Sequence, residues 1–231
     1  MKAMILAAGR GERMKPLTDN CPKPLLTVNG TPLIEHHIKK LAQVGIKDIV
    51  INHAWLGKML EDYLKDGGQW QIKITYSAEQ PALETAGGII NALPLLGNQP
   101  FLVINGDVFS EFDFSDLPIL AKETLAHLWL VNNPDHNATG DFALTQGVLQ
   151  NKILDNNRAV KQKTYTYSGI ALFKPEFFAG KTATTVDQGP ALPLAPMLRR
   201  AAEQGLITAS VLSCAWADVG TPQRLAQLNV V

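Results

Sequence analysis

Sulfur is scarce in this chain. Of 231 residues only Cys21 and Cys214 are cysteines. Two thiols that far apart, without CxxC spacing, exclude a disulfide framework and a cysteine-built zinc site, and they fit a reducing, cytoplasmic setting. Net charge is missing as well, because 21 Lys and Arg face 21 Asp and Glu. Nothing global draws the protein to nucleic acid or to an anionic membrane, so neither is expected as a partner. No stretch approaches the roughly 20 apolar residues of a membrane-crossing helix, and the apolar run that Gly9 and Arg10 end is too short for a signal peptide. Internal repeats and low-complexity tracts are lacking. The four tryptophans do not alternate with basic residues, so they build no surface for single-stranded nucleic acid.

What the chain does have is apolar periodicity. Hydrophobic residues make up 46% of it, enough for the core of one large domain. Strands are expected at 4–8, 47–53, 73–76 and 101–105, and helices at 31–45, 56–64 and 85–96 between them. This alternation predicts an α/β fold: a Rossmann-like, mostly parallel mixed sheet flanked by helices. From about residue 113 the rhythm changes to strands at 127–132, 142–144 and 164–173 with little helix between, as for an inserted β-rich lid. A helix at 192–205, a strand at 207–213 and a helix opened by Thr221 and Pro222 close the chain. One domain is expected, with a nucleotide-binding half at 1–112, a lid at 113–190 and a return to the core sheet at 191–231.

The chemistry is concentrated after the first strand, in "LAAGRGERMKPLTDNCPKPLL". Gly9 and Gly11 allow a tight turn and a close approach of backbone N–H groups to phosphate oxygens. Two familiar loops do not fit. Met14 stands where the third glycine of G-x-G-x-x-G belongs, strand two ends in Asn52 and His53 instead of a ribose-binding acid, and no GxxxxGK[ST] occurs. Arg10, Arg13, Lys15 and Lys23 supply several cations, which suits a triphosphate with a departing pyrophosphate. Asp107 and Asp218 stand at expected strand ends, each followed by valine. His36, His37 and His53 lack metal spacing and are expected to be structural.

These residues resemble the signature of the sugar-1-phosphate nucleotidyltransferases, which join a nucleoside triphosphate to a sugar 1-phosphate and release pyrophosphate. "LETAGG" (83–88), "NGDV" (105–108), "SGIALF" (168–173) and "WADVGT" (216–221) continue the likeness in order along nearly the whole chain. "INHAWLG" (51–57) and the short length are similar to the branch that transfers a uridylyl group from UTP to N-acetylmuramate 1-phosphate in cell-wall recycling. The resemblance implies that Ala7, Ala8, Gly9, Gly11, Glu12, Arg13, Lys23, Glu79, Gln80 and Asn105 meet the nucleotide. It implies sugar contacts from Glu84, Gly87, Asp141, Ser168 and Gly169, and a magnesium ion held by Asp107 and Asp218. Arg13, Lys23 and Asp107 would carry the catalysis.

Several alternatives stay open at the level of sequence. Glu79 could accept from uracil N3–H or equally from the N–H groups of guanine. Guanylyl transfer to mannose 1-phosphate, thymidylyl or uridylyl transfer to glucose 1-phosphate, and a nucleotide-sugar sensor without turnover are the competing readings. Glu84 could cap the following helix. A lactyl carboxylate on the sugar would call for a cation, and "NNRAVKQK" offers Arg158, Lys161 and Lys163. With no long extension after the last helix, a monomer is expected.

Overall fold

The computed structural model describes residues 1–153, 162–180 and 191–229. In chain order its strands are β1 (Lys2–Ala7), β2 (Thr27–Val28), β3 (Thr31–Pro32), β4 (Asp48–His53), β5 (Lys73–Ala78), β6 (Phe101–Asn105) and β7 (Val108–Ser110), followed by β8 (Ala126–Val131), β9 (Phe142–Thr145), β10 (Val148–Asn151), β11 (Thr164–Phe173), β12 (Ile207–Val211) and β13 (Trp216–Asp218). The helices are α1 (Leu33–Gln43), α2 (Gly57–Leu64), α3 (Glu84–Leu96), α4 (Leu194–Glu203) and α5 (Pro222–Leu228).

Side-chain alternation along the strands builds the layers. Ala3, Ile5, Ile49 and Ile51 pack with Ile34, Ile38 and Leu41 of α1 and with Leu60 and Leu64 of α2. Met4, Val50, Phe101 and Val103 face the other way, onto Ala86 and Ile89 of α3 and Leu198 and Ala202 of α4. Apolar residues on both strand faces are what a helix-covered parallel sheet requires. Each fully buried Ile or Leu contributes roughly 1.5–3 kcal/mol relative to exposure.

Topology then decides where a ligand goes. β1 lies between β4 and β6 and is parallel to both, and β4 is parallel to β5. The chain runs outward from β1 to β4 and β5, then returns to the other flank of β1 as β6. That reversal leaves a crevice beyond the carboxyl ends of β1 and β6, where doubly wound sheets bind ligands. Beyond β6 the sheet continues with antiparallel β11, then β8 and β12, and ends with β10 and β9, giving nine strands among the described residues. The strands expected in a lid therefore extend the main sheet.

Element ends depart from the sequence expectation for local reasons. α1 starts after Pro32 because Thr31 and Pro32 pair with Thr27 and Val28 in a two-residue ladder. β5 runs two residues further than expected and so carries Glu79 to the crevice. α5 is capped as its sequence predicts: Thr221 Oγ1 accepts from the Arg224 N–H at 3.3 Å, and Pro222 occupies the first turn. The short strands β2, β3, β7 and β10 were not anticipated, and β13 only as the strand end at which Asp218 was expected. They carry too few residues for a periodic signal.

Candidate active site

The crevice holds a cavity of about 870 Å³. Its floor is the turn after β1. Gly11 adopts φ +69°, a left-handed conformation, and a Cβ there would meet Thr18 at 3.0 Å and Lys23 at 3.3 Å. Thr18 Oγ1 donates to the Gly11 carbonyl at 2.8 Å and pins the turn. Met14, standing in the third-glycine position, is fully buried with Val28, Leu33, Val219 and Leu225. The turn is thus anchored by an apolar plug that ties it to α5, and it leads into a single 3-10 turn at Glu12–Met14 and not into an α-helix.

Ala7, Ala8, Gly9, Gly11, Glu12, Arg13, Lys23, Glu79, Gln80, Glu84, Asn105 and Asp107 all line this cavity. Glu79 is 3% exposed and is held on both oxygens: Oε1 accepts from Asn52 Nδ2 at 2.7 Å and Oε2 from the Leu83 N–H at 2.8 Å. Asn52 Oδ1 in turn accepts from the Ala7 N–H at 2.9 Å, so one network crosses from β1 through β4 to the end of β5. Gly88 makes this possible, because a Cβ there would lie 2.5 Å from Glu79 Oε1. Glu84 heads α3 at the rim with φ +63°.

Lys23 and Asp107 form the centre. Lys23 Nζ lies 2.6 Å from Asp107 Oδ2, with the lysine side chain 9% exposed and the aspartate 37%. A buried ammonium is tolerated only when paired, and here its partner faces solvent on the cavity side. Asp107 is set by Gly106, whose N–H donates to the Leu6 carbonyl at 2.8 Å where a Cβ would have met the same oxygen at 2.7 Å. Asp218 arrives from β13. It pairs with Val108 in the antiparallel β7–β13 ladder, and the Val219 N–H donates to the Asp107 carbonyl at 3.0 Å. The two aspartates are therefore one register position apart on adjoining segments, and both line a smaller cavity on the β11 side. Asp218 Oδ2 accepts from an Arg224 guanidinium N–H at 2.6 Å and stands 3.3 Å from His136 Nε2.

A second cavity of about 360 Å³ opens on the β11 side, lined by His136, Asn137, Thr166, Tyr167, Ser168, Gly169, Trp216 and Asp218 among others. It shares Arg13, Asn105 and Asp107 with the first. The wall is shaped by a bulge in β11, whose register against β8 shifts between Tyr167 and Ile170. Gly169 sits in that bulge at φ +82°, and a Cβ there would lie 2.8 Å from the Asn105 side chain. The Ser168 carbonyl accepts from Trp216 Nε1 at 2.8 Å, which fixes the indole on the wall.

The remaining expected residues sit behind the cavities. Asp141 lines neither of them. It accepts from Asn137 Nδ2 at 3.1 Å and from the Tyr167 N–H at 2.9 Å, which stiffens the wall from outside. Gly87 packs α3 against the segment before α4, with a Cβ position 2.9 Å from Leu83 and 3.6 Å from the Leu192 nitrogen. Arg158 and Lys161 lie outside the described residues. Lys163 stacks over Tyr165, with Nζ 5.0 Å from the ring centroid. Asn52, Trp55, Gly106, His136 and Trp216 are site residues that sequence reasoning did not assign. Asn52, Trp55, Gly106 and Trp216 stood in quoted motifs, so position alone could have found them.

Among the described residues no group of three or more His, Cys, Asp or Glu gathers to hold a metal. Asp107, on the wall of both cavities, and Asp218, on that of the second, are a donor set that suits magnesium, which takes few protein oxygens and fills its remaining positions with phosphate and water.

Comparisons with known proteins agree with one another. The family model described as nucleotidyl transferase matches residues 2–230. The chain is 47% identical over 236 residues to the N-acetylmuramate alpha-1-phosphate uridylyltransferase of Neisseria meningitidis serogroup B, covering all of this chain and 98% of that protein. It is 28% identical over 230 residues to the mannose-1-phosphate guanyltransferase beta-A of Xenopus laevis, of whose length it spans 62%. Among solved structures, a glucose-1-phosphate thymidylyltransferase from Bacillus anthracis superposes with a TM-score of 0.81 at 24% identity, covering 99% of this chain and 94% of that one. At that identity the likeness is one of fold.

Proposed function

The chain belongs to the nucleotidyl transferase family, and from that premise we propose that it transfers a uridylyl group from UTP to N-acetylmuramate α-1-phosphate, yielding the UDP-sugar and pyrophosphate. The reading takes its substrates from the 47% identity to the Neisseria protein over the full length of both chains. The observation that carries the chemistry is the Lys23–Asp107 pair at 2.6 Å, whose lysine lines the larger cavity and whose aspartate lines both. A nucleotide in the larger cavity and a sugar phosphate in the smaller one would meet there.

The reaction needs positioning and charge stabilisation more than proton transfer. A phosphate monoester has a second pKa of about 6, so the sugar phosphate is largely dianionic at neutral pH and requires no general base. Its oxygen attacks the α-phosphorus, the bond from that phosphorus to the bridging oxygen breaks, and pyrophosphate leaves. Lys23 neutralises charge where the two polyanions approach. Arg13, on the wall of both cavities, stabilises the leaving group. Asp107 and Asp218 would hold magnesium, which when bound supplies charge neutralisation at the phosphates. Glu79 keeps acceptor capacity despite its two internal bonds, since a carboxylate offers about four lone-pair sites, and it would accept from uracil N3–H. Retention of this whole constellation disfavours a sensor without turnover. We further propose a cytoplasmic setting and a monomeric chain.

The test is a matrix of UTP, GTP, dTTP and CTP against N-acetylmuramate, N-acetylglucosamine, mannose and glucose 1-phosphates, scored for pyrophosphate. Release with UTP and the muramate is the expected strongest response. A preference for GTP with mannose 1-phosphate would replace the substrate reading, and no release with any pair would replace the enzymatic one.

A further inference from the structure

Arg10 and Trp55 line the larger cavity but have no part in the chemistry above. The Arg10 guanidinium carbon lies 4.2 Å from the centroid of the Trp55 ring, and its Nε lies 2.5 Å from Glu12 Oε1. Glu12 also takes Lys15 Nζ at 2.7 Å. The hydrogen bond from Lys15, helped by the charge of Arg10, holds the Glu12 carboxyl below the usual carboxylate range. The indole is fastened from its other end: Trp55 Nε1 donates to the Thr18 carbonyl at 3.2 Å, and Thr18 in turn pins Gly11. A rigid aromatic plate from the turn after β4 therefore lies against the phosphate loop with a guanidinium on its face.

Glu12 is otherwise out of place. A carboxylate beside a polyanion is repulsive, so its contribution must come from the cations it holds. The hold is weak, because the side chains of Arg10 and Glu12 are 51% and 56% exposed, and both exposed ion pairs and exposed cation–π contacts are weak in water. A triphosphate offers bidentate, charge-assisted acceptors that match the guanidinium fork and are stronger. Competition for Arg10 thus favours the nucleotide.

We propose that Arg10 is a third phosphate-binding cation of the nucleotide site, exchanged between a protein seat built by Glu12 and Trp55 and the phosphate chain of the nucleotide. This rests on the nucleotide reading given above. Glu12 holds the arginine only while the nucleotide is absent and competes with the phosphates for it, and Trp55 reports its departure.

Tryptophan emission titrated with UTP, without sugar phosphate, tests the exchange. The background is Trp216→Phe, which silences the indole of the second cavity. UTP is expected to change the emission of this parent, and adding Trp55→Phe to remove the change. Arg10→Ala should abolish the change and raise the UTP Kd about tenfold, with Arg10→Lys in between. Glu12→Gln should lower the Kd, because it removes both a competitor for Arg10 and an anion beside the phosphates. An Arg10→Ala Kd within about twofold of the parent overturns the proposal. So does a Glu12→Gln variant that weakens UTP as much as Arg10→Ala, since a fixed ion pair and not an exchange would then be binding. GTP is titrated in parallel: a parent that binds GTP and not UTP overturns the base reading, while the Arg10 ratio still decides the exchange.

Discussion

At the scale of single residues, Lys23 shows how burial and charge are reconciled. Its ammonium is 9% exposed at the side chain and is compensated by Asp107 alone among the described residues. Removing one partner of a fully buried pair costs about 3–5 kcal/mol, because the other charge is left stranded. Asp107, at 37% side-chain exposure, is not stranded, since water reaches it as soon as the lysine goes. Lys23→Met, which keeps the apolar stem packed, should therefore lower the melting temperature by less than about 4 °C, equivalent to roughly 1 kcal/mol for a chain of this size. Turnover has no such refuge. Loss of one preorganised charge at the reacting phosphates should cut kcat about 10²- to 10³-fold, measured by pyrophosphate release. A kcat that falls only in step with the folded fraction would make Lys23 structural. Glycines divide in a similar way. Gly11 was legible from the sequence because a loop motif surrounds it, whereas Gly88 was not. Its requirement comes from Glu79, nine residues earlier, and exists only once α3 packs on β5.

At the scale of elements, β7 and β13 carry the point that sequence reading could not reach. Asp107 and Asp218 were legible as acids at strand ends, but nothing local says that two three-residue strands pair and make them neighbours. That pairing is held from α1. His37 Nε2 donates to the Val108 carbonyl at 2.7 Å, Lys40 Nζ to the Ser110 carbonyl, and His36 stands edge-on to Phe109 at 5.2 Å. His37 was read as structural, and its contacts show what the structure is for. Burial drives its pKa down from 6.5 to about 4, with Lys40 and His36 adding repulsion and Asp107 opposing them. The unfolded ring takes up a proton near pH 6.5 that the folded ring refuses until about pH 4. Stability from this residue is therefore complete above the upper value and is lost as pH falls toward the lower one, by roughly 3 kcal/mol at most. His37→Gln keeps a donor for Val108 and cannot titrate. Urea unfolding at pH 7 and pH 4.5 should show a steeper loss for the parent than for this variant, against a background from His127, also lowered to about 4 by burial, that both share. Equal losses would mean that His37 is solvated or already charged.

At the scale of the molecule, the fold divides by how far each half depends on local pattern. The strands and helices of the first half follow from hydrophobic period and from a loop motif, and so does the crevice they create. The second cavity depends on a bulge in β11, on His136 and Asn137 in a short turn, and on Trp216 anchored to the bulge. Those contacts are long-range and leave no periodic trace, which is why the bonds of Asp141 to Asn137 and the Tyr167 N–H were not legible in the sequence. The two cavities share Arg13, Asn105 and Asp107, so occupation of the larger one must be felt at the joint. A ligand that binds only the folded state at 100 times its Kd stabilises it by about 2.7 kcal/mol, or about 5–10 °C for a chain of this size. Saturating UTP should therefore raise the melting temperature by that order in magnesium and by clearly less in EDTA, where pyrophosphate release should also stop. In Asp107→Asn the proposed magnesium site would lose one of its two carboxylates, so the dependence on magnesium should shrink together with turnover. If that variant keeps the full difference between magnesium and EDTA, the ion is held by the nucleotide and other groups, and Asp107 serves only to steer Lys23.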